Sequence, residues 1–219
     1  MEDMPERSQE KWTVPFKRVV DQLLHAPSED VVNSARSFRI EGPIDPDNLR
    51  KLCELPYELL ITRDEQGLLM TTGNKDTTVH AWDKATRRRL QNAHSTLHNH
   101  PPFAGPNADT PSIGDMLFFL SQAYEEKFSK NIIIHSDGVV SFGFGSSSSL
   151  ALFNERCAEI QRKHNLSDKE FYGDETSPAT MVRVYPAWRE LAETLGIISG
   201  RATWDEPKNV HELLRDLNE

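Results

Sequence analysis

Residues 95–116 read STLHNHPPFAGPNADTPSIGDM: two histidines one residue apart, a Pro-rich stretch, then a Ser-x-x-Asp segment. In an extended strand alternate side chains share a face, so His98 and His100 project together and can share one ion. Neutral imidazole is a good zinc ligand. A carboxylate such as Asp115 would complete three protein ligands and leave a fourth position for water. Zinc lowers the pKa of such a water to ~7, so the chemistry on offer is hydrolysis. Asp115 is suitably placed if residues 101–111 form a surface excursion that folds back. Ser112-x-x-Asp115 is also a capping box, with Ser112 as the cap of a helix starting at Ile113 and Asp115 reaching back to its amide. The two roles are compatible.

The elements around this stretch set what can be positioned. Phe16, Val19, Val20, Leu23 and Leu24 recur at helical spacing. Asp45-Pro46 opens a second helix, with Asp as cap, Pro at the first helical position and Pro56 as the stop. Tyr57 to Thr62 reads as a strand, Asp64-Glu65-Gln66-Gly67 as a turn and Leu68 to Thr72 as its antiparallel partner. A variable stretch around Gly73-Asn74-Lys75 leads to a helix through residues 83–93. Ser95 to His98 is a strand entering the motif. Ile113 to Phe128 is a helix with Met116, Leu117, Leu120, Tyr124 and Phe128 facing inward. Asn131 to His135 and Val139 to Phe144 form a hairpin around Ser136-Asp137-Gly138. Gly145 to Ser149 is a Ser-rich break. Beyond it the chain reads as helical: Leu150 to His164, Pro178 to Leu195 interrupted at Pro186, and Asn209 to Leu217. Mixed strands and helices followed by helices alone predict an α/β or α+β core with a helical C-terminal addition.

His98-Asn99-His100-Pro101 followed by Ser112-Ile113-Gly114-Asp115 resembles the signature of the JAMM (MPN+/JAB) zinc metalloproteases, H-x-H-P, a loop, then S-x-x-D. The upstream YELLITRDEQGLLMTTG resembles the Glu-bearing hairpin of RadC-like proteins and of JAB modules in phage and bacterial polyvalent proteins. The downstream NIIIHSDGVVSFGFG resembles the strand pair that closes those domains. The match covers about residues 56–145. It implies a three-layer α/β core of the MPN, cytidine-deaminase-like kind spanning 45–145. A helical N-terminal extension (1–44) and a helical C-terminal appendage (150–219) would be added to it. It also implies one zinc ion per chain held by His98, His100 and Asp115. Glu58 would be the general base and Ser112 a support for the developing oxyanion. Glu54 and Glu65 are nearby, but one is expected in the preceding helix and the other in the turn. The loop between Pro101 and Ser112 is longer than is usual in the family.

The implied activity is cleavage of an amide or isopeptide bond in a protein or peptide, such as a ubiquitin-like tail. The alternatives are a phage- or toxin-associated JAB module acting on another substrate, and a non-catalytic MPN-like interaction domain. The formal charge of -9 over 219 residues speaks against a chain whose affinity comes from neutralising phosphates, so no nucleic-acid partner is expected. The basic run Lys84 to Arg89 reads as a solvated helix face. Cys53 and Cys157, far apart and outside any C-x-x-C, read as buried reduced thiols. The charged start MEDMPERSQEKW is unlike a secretory signal, and no apolar run suits a membrane span, so a cytoplasmic location is expected. His94, four residues before His98, is read as a surface residue. Trp188, Tyr185 and Trp204 are expected to pack the C-terminal helices.

Overall fold

Unbroken apolar runs at Leu59–Ile61, Leu68–Met70 and Ile132–Ile134, buried on both faces, build the middle of one sheet. The computed structural model describes residues 13–28, 31, 36–72, 84–100, 108–124, 130–143, 147–173 and 178–219. Expectations for residues 1–12, Gly73–Lys75, 101–107, Phe128, Phe144, Gly145 and Ser146 lie outside the described residues. Eight strands are described: β1 (Thr13–Pro15), β2 (Ser37–Glu41), β3 (Leu59–Asp64), β4 (Gly67–Thr72), β5 (Ser95–Asn99), β6 (Lys130–His135), β7 (Gly138–Phe142) and β8 (Ile198–Thr203). They lie in the order β1-β2-β4-β3-β5-β6-β7-β8. The pairs β1/β2 and β5/β6 are parallel and the rest antiparallel.

Eight helices accompany the sheet among the described residues: α1 (Phe16–His25), α2 (Pro46–Leu52), α3 (Lys84–Gln91), α4 (Ile113–Tyr124), α5 (Ser147–Lys163), α6 (Asp168–Phe171), α7 (Pro178–Thr194) and α8 (Pro207–Asn218). Strand alternation sorts them into layers. Ile132 and Ile134 join a core with Leu59, Ile61 and Leu97 under α1, α2 and α8. Ile133, on the opposite face, joins Phe142 in a second core under α4, α5, α6 and α7. The chain is therefore a mixed α/β protein with helices on both faces of one sheet.

Local chemistry acts as expected at several points. Asp45 caps α2 through the Asn48 amide at 2.9 Å, with Pro46 in the first turn. Gly67 closes the β3–β4 turn at φ 101, where L side chains are disfavoured. Both cysteines are free and buried. Among the described residues no helix is long and apolar enough to cross a membrane.

Other expectations need correction. The N-terminal 44 residues are not a purely helical extension, because β1 and β2 extend the sheet. The last third is not purely helical either: β8 pairs with β7, and α8 places Val210, Leu214 and Leu217 in the first core. β2 does alternate, with Phe38 half-buried and Ile40 buried between exposed Ser37, Arg39 and Glu41, whereas β8 buries only Ala202. Strand formation in β8 depends on its pairing with β7 more than on propensity. Ser147 to Ser149 lie within α5, and Pro186 lies inside α7 without ending it. The carbonyl that Pro186 cannot pair belongs to Val182, a residue 70% exposed to solvent. Leu117 faces outward, with Phe119 taking the inner position. Arg89 is not on a solvated face. It donates to Asp64 through Nε (2.7 Å) and Nη2 (2.6 Å) and to the Gly67 carbonyl (2.8 Å), which fixes α3 to the β3–β4 turn.

Candidate metal centre

Leu97 belongs to the first core, so its neighbour His98 points to the opposite face of the sheet. His100 lies just past β5, where its amide donates to the Ile134 carbonyl at 2.9 Å and prolongs the pairing with β6. Asp115 sits in the first turn of α4, the helix that crosses from β5 to the parallel β6. The end of a strand and the start of its crossover helix thus meet on one face. His98 is 2%, His100 4% and Asp115 7% exposed.

His98 Nε2 lies 3.2 Å from His100 Nε2 and 3.4 Å from Asp115 Oδ1, and His100 Nε2 lies 3.8 Å from Asp115 Oδ2. Ligands bound at zinc distances of ~2.0–2.1 Å with tetrahedral angles would be about 3.3–3.4 Å apart. The three residues are the one such group among the described residues, with ligand atoms all within 4.8 Å of one another. His100 Nδ1 meets the Ala108 carbonyl at 2.7 Å. A carbonyl can only accept, so Nδ1 carries the proton and neutral His100 keeps its Nε2 lone pair for an ion. The donor set fits zinc.

Comparison with family models, with curated proteins and with solved structures found no match to this chain.

Asp115 fills both roles open to it. Its Oδ2 accepts from the Ser112 amide (2.8 Å) and hydroxyl (2.7 Å), while its own amide donates to Ser112 Oγ at 3.1 Å. That is a capping box, and it leaves Oδ1 toward His98. Burial alone would raise the Asp115 pKa, but the charges and hydrogen bonds of His98 and His100 outweigh it and hold the carboxyl well below its usual range. Burial pulls His98 down, and the negative charges of Asp115 and then Glu58 reverse this to a net rise. The pocket is built to hold positive charge.

Glu58 is half-buried and directly precedes β3. The register Leu60↔His98, continued by two residues, brings Glu58 opposite His100 on the same face. Glu54 and Glu65 are exposed, outside the strand. His94 is exposed as well.

Two contributors are invisible in the motif. Asn99 is fully buried; its Oδ1 accepts from the Leu59 amide (2.7 Å), and its Nδ2 donates to the Tyr57 (3.1 Å) and Leu52 (3.2 Å) carbonyls. It thereby grips both peptide units that flank Glu58. Strand alternation already places Asn99 on the face opposite the histidines, the one signal that could have singled it out. Tyr185 of α7, 5% exposed, shares the second core with Ile113 and Met116 of α4. Burial first, then the negative charges of Asp115 and Glu58, push its phenol above the usual range and keep it a neutral hydroxyl. Nothing in the local sequence links Tyr185 to the histidines. Tyr185 also stacks edge-on against Trp188 (5.2 Å), whose Nε1 donates to the Phe171 carbonyl at 2.9 Å.

Proposed function

We propose that this chain is a JAMM-type zinc hydrolase that cleaves an amide or isopeptide bond in a protein or peptide substrate. The observation that carries this reading is the buried His98–His100–Asp115 group, whose closest spacings match the edges of a zinc tetrahedron. The H-x-H-P and S-x-x-D resemblance supplies the reaction class and the ubiquitin-like tail as a substrate type.

His98 and His100 would hold the ion through Nε2 and Asp115 through Oδ1. Zinc would supply Lewis acidity toward the scissile carbonyl and a water acidic enough to lose a proton near neutral pH. The chain's own residues divide the remaining work. The Ala108 carbonyl keeps His100 in the Nδ1-protonated tautomer. Ser112 sets the Asp115 carboxylate, and its hydroxyl proton is committed to Oδ2, so support of an oxyanion would require it to turn away. Glu58 takes a proton from the attacking water onto its carboxylate and passes it to the departing amine nitrogen. Burial of the three ligands limits competing water and strengthens each of these interactions.

The test is metal analysis joined to turnover. Purified protein should hold one zinc per chain, and the His98→Ala/His100→Ala double variant should lose it. Glu58→Gln should keep the metal and fold while losing ~10²–10⁴-fold in turnover on isopeptide-linked and linear peptide substrates. Full zinc retention in the double variant sinks the site. Stoichiometric zinc without cleavage of any such substrate favours a non-catalytic interaction domain.

A further inference from the structure

The C-terminal third touches the metal ligands through a short chain of contacts. His100 lies one residue past β5, where its amide's hydrogen bond to the Ile134 carbonyl holds the backbone but leaves the ring orientation to other contacts. The ring is held by the hydrogen bond from Nδ1 to the Ala108 carbonyl, 2.7 Å away. That carbonyl belongs to the peptide unit joining Ala108 to Asp109, which raises the question of what holds Asp109.

Two arginines from the C-terminal third do so. Arg189 of α7 forms an ion pair with Asp109 through Nη2, and its Nε donates to Thr110 Oγ1 at 3.2 Å. Arg201 of β8 places Nη2 3.8 Å from the other Asp109 oxygen. One planar guanidinium therefore grips two successive residues, which a lysine could not reproduce. The anchors are rigid: α7 buries Trp188 and Leu191 on either side of Arg189, and β8 is hydrogen-bonded to β7.

The geometry points to a latch: Arg189, assisted by Arg201, holds the Asp109–Thr110 segment so that the Ala108 carbonyl fixes the tautomer and orientation of His100. Arg189 is thus a positioning residue for the metal centre, contributed by the part of the chain that lies outside the His-x-His and Ser-x-x-Asp motif. The inference rests on the reading of His98, His100 and Asp115 as zinc ligands. Partners that orient a ligating histidine from outside the coordination sphere are worth ~10–100-fold in metal affinity. The Arg189 and Asp109 side chains are 35% and 22% exposed, and an ion pair so open to solvent adds little to global stability. Loss of the latch should therefore appear in metal affinity and not in unfolding.

Arg189→Ala, Arg189→Lys and Asp109→Asn test this in the full chain, with Arg183→Ala as control. Arg183 lies on the same helix and pairs with Glu170. Zinc affinity is read by competition with a chromophoric chelator. The His100 tautomer is read from long-range ¹H–¹⁵N spectra of the zinc-free protein. Arg189→Ala should keep the wild-type urea midpoint, lose ~10–100-fold in zinc affinity and no longer hold His100 as the single Nδ1-protonated form. Arg189→Lys should recover only part of both, and Arg183→Ala should match wild type. Wild-type affinity and tautomer in folded Arg189→Ala overturn the latch. If that variant fails to fold, Asp109→Asn decides by the same two readouts. A wild-type protein that binds zinc but cleaves nothing overturns the hydrolase reading and leaves the latch standing. If it binds no zinc, the metal reading fails and the tautomer alone decides the latch.

Discussion

Asn99 offers a demanding test of how the fold places Glu58. Replacing it with leucine roughly conserves volume and removes three hydrogen bonds. The Leu52 carbonyl keeps a second partner, the Leu55 amide at 3.3 Å. The Leu59 amide and the Tyr57 carbonyl lose the partner they have in Asn99, in a setting where Asn99 is 0% exposed. Each buried orphan costs about 1–3 kcal/mol, so Asn99→Leu should destabilise by roughly 2–6 kcal/mol. Against a typical total of ~5–15 kcal/mol that is a large share. Urea unfolding followed by tryptophan fluorescence should show the midpoint falling by about 1–2 M at an unchanged slope. Asn99→Asp separates hydrogen bonding from size. Its carboxylate still accepts from Leu59 but faces the Tyr57 carbonyl without a proton. The folded state should therefore raise that carboxyl's pKa, so the stability of this variant relative to wild type is greatest below the unfolded value near ~4 and falls as pH rises through the folded value. A midpoint for Asn99→Leu within about 0.3 M of wild type would refute the reasoning, because it would mean that the two groups find other partners.

Three further outcomes are expected. Arg89→Ala strands the buried Asp64 carboxylate and should cost ~3–5 kcal/mol in urea unfolding; a change below about 1 kcal/mol, the range of a surface pair, would contradict the buried clamp. Burial raises both the Cys53 and Cys157 thiols to about 12. At pH 8 the native thiolate fraction is then on the order of 10⁻⁴, so Ellman's reagent should label neither cysteine until the chain unfolds. Because the folded-state pKa is raised, this contribution to stability is complete below the unfolded value near ~8.5 and is lost as pH rises toward about 12. A chain ending at Gly143 should aggregate, since it uncovers the β7 edge and loses Phe153, Ile160, Trp188, Leu191 and Leu214 at about 1.5–3 kcal/mol each. A soluble, zinc-loaded product of that truncation would show the last third to be dispensable packing.

The His-x-His spacing, the Ser-x-x-Asp capping box, the Asp45 cap and the β3–β4 and β6–β7 hairpins were all legible in the sequence. Each depends on contacts between residues a few positions apart or on the two-residue period of a strand. That local logic sufficed to place His98 and His100 on one face and Asp115 at a helix start. It did not reach β8, whose one buried residue, Ala202, gives no period and which forms a strand because β7 presents an open edge to it; the short Phe38–Ile40 alternation of β2 was there to be read. Nor did it reach Arg89, which looks like one of several solvated arginines until Asp64 folds beneath it. Glu58 could be named from the hairpin, but its approach to His100 depends on the β3–β5 register and on the grip of Asn99 from the opposite face. The largest gap between sequence and structure is at the candidate metal centre itself. The Ala108 carbonyl, Arg189, Arg201 and Tyr185 meet the motif only in three dimensions, because packing of α7 and β8 onto the sheet brings together residues as far apart in the chain as Asp109 and Arg201. Spacing along the chain carries no information about such pairs; the tertiary structure alone decided them.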